Sequence, residues 1–182
     1  MIENRKTYRL PFRGKLVFSC GDKVYTGNTV NISTGGIFIT LFESAEIIRE
    51  SICRCVFALA PNDPPVCIQG IVKRVVAMDP NPEILPGVAF NFVAGETNAT
   101  DLMHLKNFMS SARNNFELAS TILSSGEPDL NSLAPLIERM HLPPTSDLGE
   151  LRFQIERILM SIELVDSNNA RIAASPPPAP KV

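Results

Sequence analysis

Asn31-Ile32-Ser33-Thr34-Gly35-Gly36 is the stretch on which the reading of this 182-residue chain turns. Val24–Ile32 runs into it and Ile37–Phe42 runs out of it as strands, so the stretch is read as the tip of a hairpin. The period of two places Val30 and Ile32 on one face and leaves Asn31 and Ser33 together on the other. Gly35-Gly36 permits positive φ at the turn.

Working outward, Lys15–Cys20 alternates as an earlier strand and Gly21-Asp22 is a turn. After the hairpin, Glu43–Glu50 is a short helix or loop. Cys53–Ala60 is a fourth strand, closed by Pro61-Asn62-Asp63-Pro64-Pro65. Val66–Met78 is a long fifth strand with Gly70 as a candidate bulge or bend. Asp79-Pro80-Asn81-Pro82 turns the chain, and Gly87–Val93 is the sixth. Six short strands separated by turns predict a sandwich or a small closed barrel.

Near Gly95 the pattern changes to helical spacing. Thr97-Asn98 caps a helix whose apolar seam is Leu102, Leu105, Met109, Ala112, Phe116, Ala119 and Leu123. Leu130–Met140 is a shorter helix. Ser146-Asp147 caps a third, with the seam Leu148, Leu151, Ile155, Ile158, Ile162 and Val165. Steps of three and four alternate in both long seams, as in a coiled coil. Such seams must be buried, against each other, against a second copy, or against another protein through residues 98–124 and 147–166. The expected organisation is a β-domain over residues 1–96, a helical extension over 97–174 and a disordered proline-rich tail over 175–182.

The overall charge is −2, which excludes a polycation built for a nucleic-acid polymer or an anionic membrane. The amino end is different. Arg5, Lys6, Arg9, Arg13, Lys15 and Lys23 face only Glu3 and Asp22 there, a local charge of +4 suited to a small anion. No apolar run marks a signal peptide or a membrane span, so a cytoplasmic protein is expected. Cys20, Cys53, Cys55 and Cys67 lack metal-ligand spacing and read as reduced, buried thiols, with no metal site. His104 and His141 have no partner at catalytic spacing, and no enzymatic machinery is visible.

Arg5-Lys6-Thr7-Tyr8-Arg9 supplies two guanidinium groups at a fixed offset on extended or loop backbone, because Pro11 biases Leu10 away from helix. A guanidinium can fork onto guanine O6 and N7, stack on a purine face, or grip a phosphate. Asn31 can accept from a guanine edge and Ser33 can donate to a base or phosphate. Gly36 can admit backbone N–H groups to a ligand. Arg5-x-x-x-Arg9 followed by Asn31-x-Ser33-x-x-Gly36 resembles the two-part signature of PilZ domains, which bind cyclic di-GMP. Ile37-Phe38-Ile39 and Gly87-Val88-Ala89-Phe90 are similar to strands of that family, and the resemblance covers roughly Glu3 to Val93.

The resemblance implies a six- or seven-stranded antiparallel barrel, with the arginine loop folding over cyclic di-GMP and Asn31–Gly36 as the floor. It implies Arg5, Arg9, Asn31, Ser33, Gly35 and Gly36 as ligand residues. Asn4, just before the first arginine, is implied in stoichiometry. Lys6, Lys73 and Arg74 are additional candidates, the last two for phosphate. The implied activity is that of a non-enzymatic receptor acting on motility, biofilm formation or secretion, with no cofactor beyond the ligand. The alternatives are a PilZ-like adaptor that works by protein contact without nucleotide, and a small barrel that binds single-stranded nucleic acid. The few exposed aromatics expected (no Trp, and only Tyr8 and Tyr25 besides the phenylalanines) and the negative charge oppose the last.

Overall fold

The computed structural model describes residues 6–41, 47–77, 86–126 and 128–174. Alternation in β2 (Lys15–Cys20) turns Leu16 and Phe18 inward, where both are fully buried, and leaves Lys15 and Val17 outside. The same sorting shapes β3 (Lys23–Ser33), β4 (Gly36–Leu41), β5 (Ile52–Phe57), β6 (Val66–Val76) and β7 (Gly87–Phe92). A two-residue β1 (Leu10–Pro11) precedes them. The antiparallel order is β1-β3-β2-β5-β6-β7-β4, and β4 pairs back onto β3. Six strands thus close a barrel, with β1 as a seventh laid on β3, and closure removes the exposed edges.

Helices α1 (Ala99–Ser124), α2 (Leu130–Arg139) and α3 (Leu148–Ala174) follow. The Asn98 side chain caps α1 by accepting from Thr100 N at 3.0 Å, and Asp147 Oδ1 accepts from Gly149 N at 2.7 Å at the start of α3. The expected seams are the buried faces: Leu105, Met109, Ala112, Phe116, Ala119 and Leu123 on α1, and Leu151, Ile155, Ile162 and Val165 on α3. They pack against each other within the chain. Arg152 Nη2 donates to Leu123 O at 2.6 Å, and Arg113 Nη1 pairs with Asp166 at 2.8 Å.

One apolar core runs through barrel and helices, continuous across the expected boundary at residue 96. Phe12 is the joint. Its ring is 6.1 Å from Phe57 in the barrel, 5.4 Å from Phe108 on α1 and 4.9 Å from His141 after α2. The start of α1 also completes the ladder of β6, where Thr97 Oγ1 accepts from Gln69 N and Asp101 Oδ2 from Cys67 N.

Three local expectations are corrected. The bulge predicted at Gly70 lies instead between Val72 and Arg74, with Lys73 as the extra residue. Gly70 is needed for space, because a Cβ there would come within 3.1 Å of Phe90 Cβ. A second bulge makes Val30 the extra residue of β3, so Val30 does not simply share the face of Ile32. Gly35 and Gly36 do not take positive φ; among described residues the positive-φ glycines are Gly21 and Gly126. The expected Asp79–Pro82 turn, Glu43 and Glu46, and the 175–182 tail lie outside the described residues.

Candidate functional site

The register of β1 brings the two distant motifs together. Leu10 pairs with Ile32 and Pro11 with Asn31, antiparallel. Continued one residue, that register sets Arg9 alongside Ser33. Continued three, it sets Thr7 alongside Gly35, where a Cβ added to the glycine would meet Thr7 Oγ1 at 3.3 Å. Alternation does the rest. Leu10 and Phe12 are buried and Tyr8 packs against the core, while Arg9 faces the other way and is exposed. Arg5 and Asn4 lie outside the described residues, and Lys6 is exposed.

Ser33 and Gly36 are paired across a two-residue loop, Thr34-Gly35. The Ser33 hydroxyl donates to Gly36 O at 3.2 Å and accepts from Gly35 N at 3.2 Å, and the residue is 3% exposed. Its hydroxyl is therefore engaged in building the turn. The two glycines differ. A Cβ at Gly36 would fall on the Phe90 carbonyl oxygen, so Gly36 lets β4 close onto β7. Gly35 faces Thr7 and is the one beneath the arginine segment.

Asn31 begins a row across the outer wall of the barrel: Asn31 pairs with Phe38, Phe38 with Ala89, and Ala89 with Arg74. Three strand spacings make the row about 14 Å wide. Phe38 points away from the core that takes its neighbours Ile37 and Ile39. The Arg74 guanidinium covers its ring at 5.7 Å, a cation–π contact. Lys73, the bulge residue, pairs instead with Glu50 at 2.7 Å. The structure thus separates the two later cations, with Arg74 on the wall of Asn31 and Lys73 tied to the β4–β5 connection. Sequence reasoning did not place Phe38 beside Asn31, since only the cross-strand register shows that the two are neighbours.

The opposite face of the arginine segment meets the helices. Arg113 on α1 lies over the Tyr8 ring at 5.9 Å while its nitrogens bond Glu117 at 2.9 Å and Asp166 at 2.8 Å. Burial pushes the Tyr8 phenol up, with Arg113 acting against that. Asn169 Nδ2 on α3 donates to Lys6 O at 2.9 Å.

Neither histidine joins this arrangement. His141 sits half-buried against Phe12, and burial holds its pKa below the ordinary 6.5. His104 lines a separate groove of about 990 Å³ with Arg13, Asp63, Arg139 and His141, to which the Asn31–Gly36 turn contributes nothing. The four cysteines are free. Among the described residues no cluster of His, Cys, Asp and Glu is placed to hold a metal ion, and no helix is long and apolar enough to cross a membrane.

A family model described as the PilZ domain matches residues 3–109. Among solved structures, the Bacillus subtilis inhibitor of motility (MotI/DgrA) is similar with a TM-score of 0.53 at 18% identity, covering 63% of this chain and 53% of that one. A complex of MrkH with c-di-GMP from K. pneumonia gives 0.50 at 15% identity, covering 60% and 52%. The PilZ domain of YcgR from Escherichia coli, solved with c-di-GMP, gives 0.49 at 12% identity, covering 60% and 91%. This chain spans about half the length of the first two. At such identities the likeness is one of fold. No protein of curated function matches the sequence.

Proposed function

This chain belongs to the PilZ domain family, and on that premise we propose that it is a non-enzymatic receptor for cyclic di-GMP. The observation that carries the reading is the β1–β3 register, which seats Arg9 alongside Ser33 and Thr7 on Gly35. A dianionic dinucleotide laid on the Asn31 wall meets a guanidinium from the segment above and a second from Arg74 at the far side. Arg9, and Arg5 before it, fork onto a guanine edge or a phosphate. Asn31 accepts from a guanine N–H, and the buried Phe38 ring holds the Arg74 guanidinium on the same wall. Ser33 and Gly36 act by holding the turn that presents these groups, and Gly35 keeps it clear of a side chain beneath the segment. Asn4 and Lys6 flank the entry, and Lys73 contributes only if it leaves Glu50.

Motility, biofilm formation or secretion is the process such a receptor controls, in the bacterial cytoplasm where the messenger is made. The helices are the route outward: α1 and α3 touch the residues between the two arginines, so a ligand that draws on the arginines acts on the helix pair. Calorimetry with cyclic di-GMP tests the reading. Binding at micromolar or tighter Kd, lost in Arg9→Ala and in Arg5→Ala, supports it. Absence of heat at high ligand concentration, or binding by both variants as tight as by the native chain, refutes it.

A further inference from the structure

Deepening the receptor reading and resting on it, we infer that the α1–α3 pair positions the arginine segment for its ligand, with Arg113 and Asn169 as the positioning residues. Three observations converge. The Lys6 carbonyl accepts from Asn169 on α3 across 163 residues of sequence. The Tyr8 ring lies beneath Arg113, whose Nε bonds Glu117 on its own helix and whose Nη1 bonds Asp166 on α3. And the stretch so held, Lys6 to Tyr8, is the stretch between the two arginines, already seated on Gly35.

The chemistry gives the sign. Arg113 is fixed by two carboxylates, so it offers Tyr8 a guanidinium plane of set position. A short segment tied at a backbone carbonyl and at an aromatic ring has lost conformational freedom before any ligand arrives. The part of the ordering already present in the free protein is not charged against binding. The contacts therefore raise affinity. Linkage makes the effect reciprocal: ligand on the arginines strengthens the hold of α3 on Lys6. The α3 end is suited to respond, because after Val165 its side chains are exposed or only partly covered and its packing is thin.

Hydrogen exchange on the full chain, with and without cyclic di-GMP, combined with calorimetry, tests this. Asn169 is exposed, so Asn169→Ala folds. In the ligand-free protein, Asn169→Ala and Arg113→Ala are expected to speed exchange over residues 6–10 with the β3–β4 turn unchanged. Each is expected to weaken cyclic di-GMP binding roughly three- to ten-fold, the scale of one modest polar contact. Ligand is expected to slow exchange over residues 166–174 in the native chain and not in Asn169→Ala. Arg113→Lys keeps the charge but loses the two-carboxylate fork, and is expected to behave like the alanine variant. Unchanged exchange over residues 6–10 in both ligand-free alanine variants overturns the positioning role, whether or not the nucleotide binds. Tighter binding by Asn169→Ala also overturns it, making the helices a competitor. Failure of the native chain to bind, with faster exchange in the variants, sinks the receptor reading and leaves the hold of the helices on the segment standing.

Discussion

Replacing Gly36 and Gly35 in turn separates the glycine that closes the barrel from the one that faces the arginine segment. An alanine Cβ at position 36 falls on the Phe90 carbonyl oxygen, a backbone atom with no freedom to rotate away. β4 must back off from β7, which strains the Ile37–Phe90 pair and stretches the 2.9 Å bond from Phe92 N to Gly35 O. Overpacking of this kind costs about 1–3 kcal/mol, and the weakened hydrogen bond adds about 1 kcal/mol. Gly36→Ala should therefore lose about 2–4 kcal/mol and lower the midpoint by about 5–15 °C for a chain of this size. At position 35 the new Cβ meets only Thr7 Oγ1 at 3.3 Å, the end of a side chain that can turn. Gly35→Ala should stay within about 0.5 kcal/mol of the native protein. Its effect should appear in ligand affinity, through displacement of Thr7. Urea or thermal unfolding followed by circular dichroism measures both. Equal midpoints for the two variants, or a larger loss at Gly35, would refute the reasoning from barrel closure.

Phe12→Ala removes the ring that joins barrel to helices and should cost about 3–5 kcal/mol, read as a fall in the urea midpoint. Burial disfavours the His141 imidazolium and lowers its pKa below 6.5. The unfolded chain then takes up the proton first, so stability is full above pH 6.5 and is lost as pH falls through that range. His141→Asn, which tolerates the left-handed backbone (φ 54°) there, should flatten that part of the pH–stability profile relative to the native chain. Burial pushes the Cys55 thiol up to about 12 and raises that of Cys53 as well. A thiol reagent at pH 8 should therefore spare both in the folded protein and reach them only on unfolding, while the partly exposed Cys20 and Cys67 react; labelling of all four without denaturant would contradict this.

Periodicity made most of the fold legible before any coordinates. Leu105 to Leu123 and Leu151 to Val165 were visible as seams because helical spacing is a local property, and their burial follows it. The strands were likewise visible, since alternation over five or six residues needs no partner. β1 was not, because two residues ending in a proline carry no pattern; its identity lies in the pairing with Ile32 and Asn31. Both bulges were missed for the same reason, as a bulge is defined against the opposite strand. In the candidate site, Arg9 and the Asn31–Gly36 turn were legible as a paired motif, but the roles within it were not. That Ser33 bonds its own turn, and that Gly36 clears a carbonyl of β7, depends on atoms far away in sequence. Phe38, Arg113 and Asn169 were silent because each reaches the site through a cross-strand or interhelical contact. Arg74 was visible only as a cation on a later strand. The bulge at Lys73 is what brings Arg74 to the outer face opposite Ala89, where strict alternation from the buried Val72 would have turned it inward.

Backbone amide chemical shifts recorded during titration with cyclic di-GMP test the central claim most directly. The expected result is saturable shifts largest at residues 7–9, the Asn31–Phe38 hairpin tip and Arg74, with smaller ones over residues 166–174 of α3, all lost in Arg9→Ala. Shifts gathered instead around Arg13, His104 and His141, or none at saturating nucleotide, would contradict it.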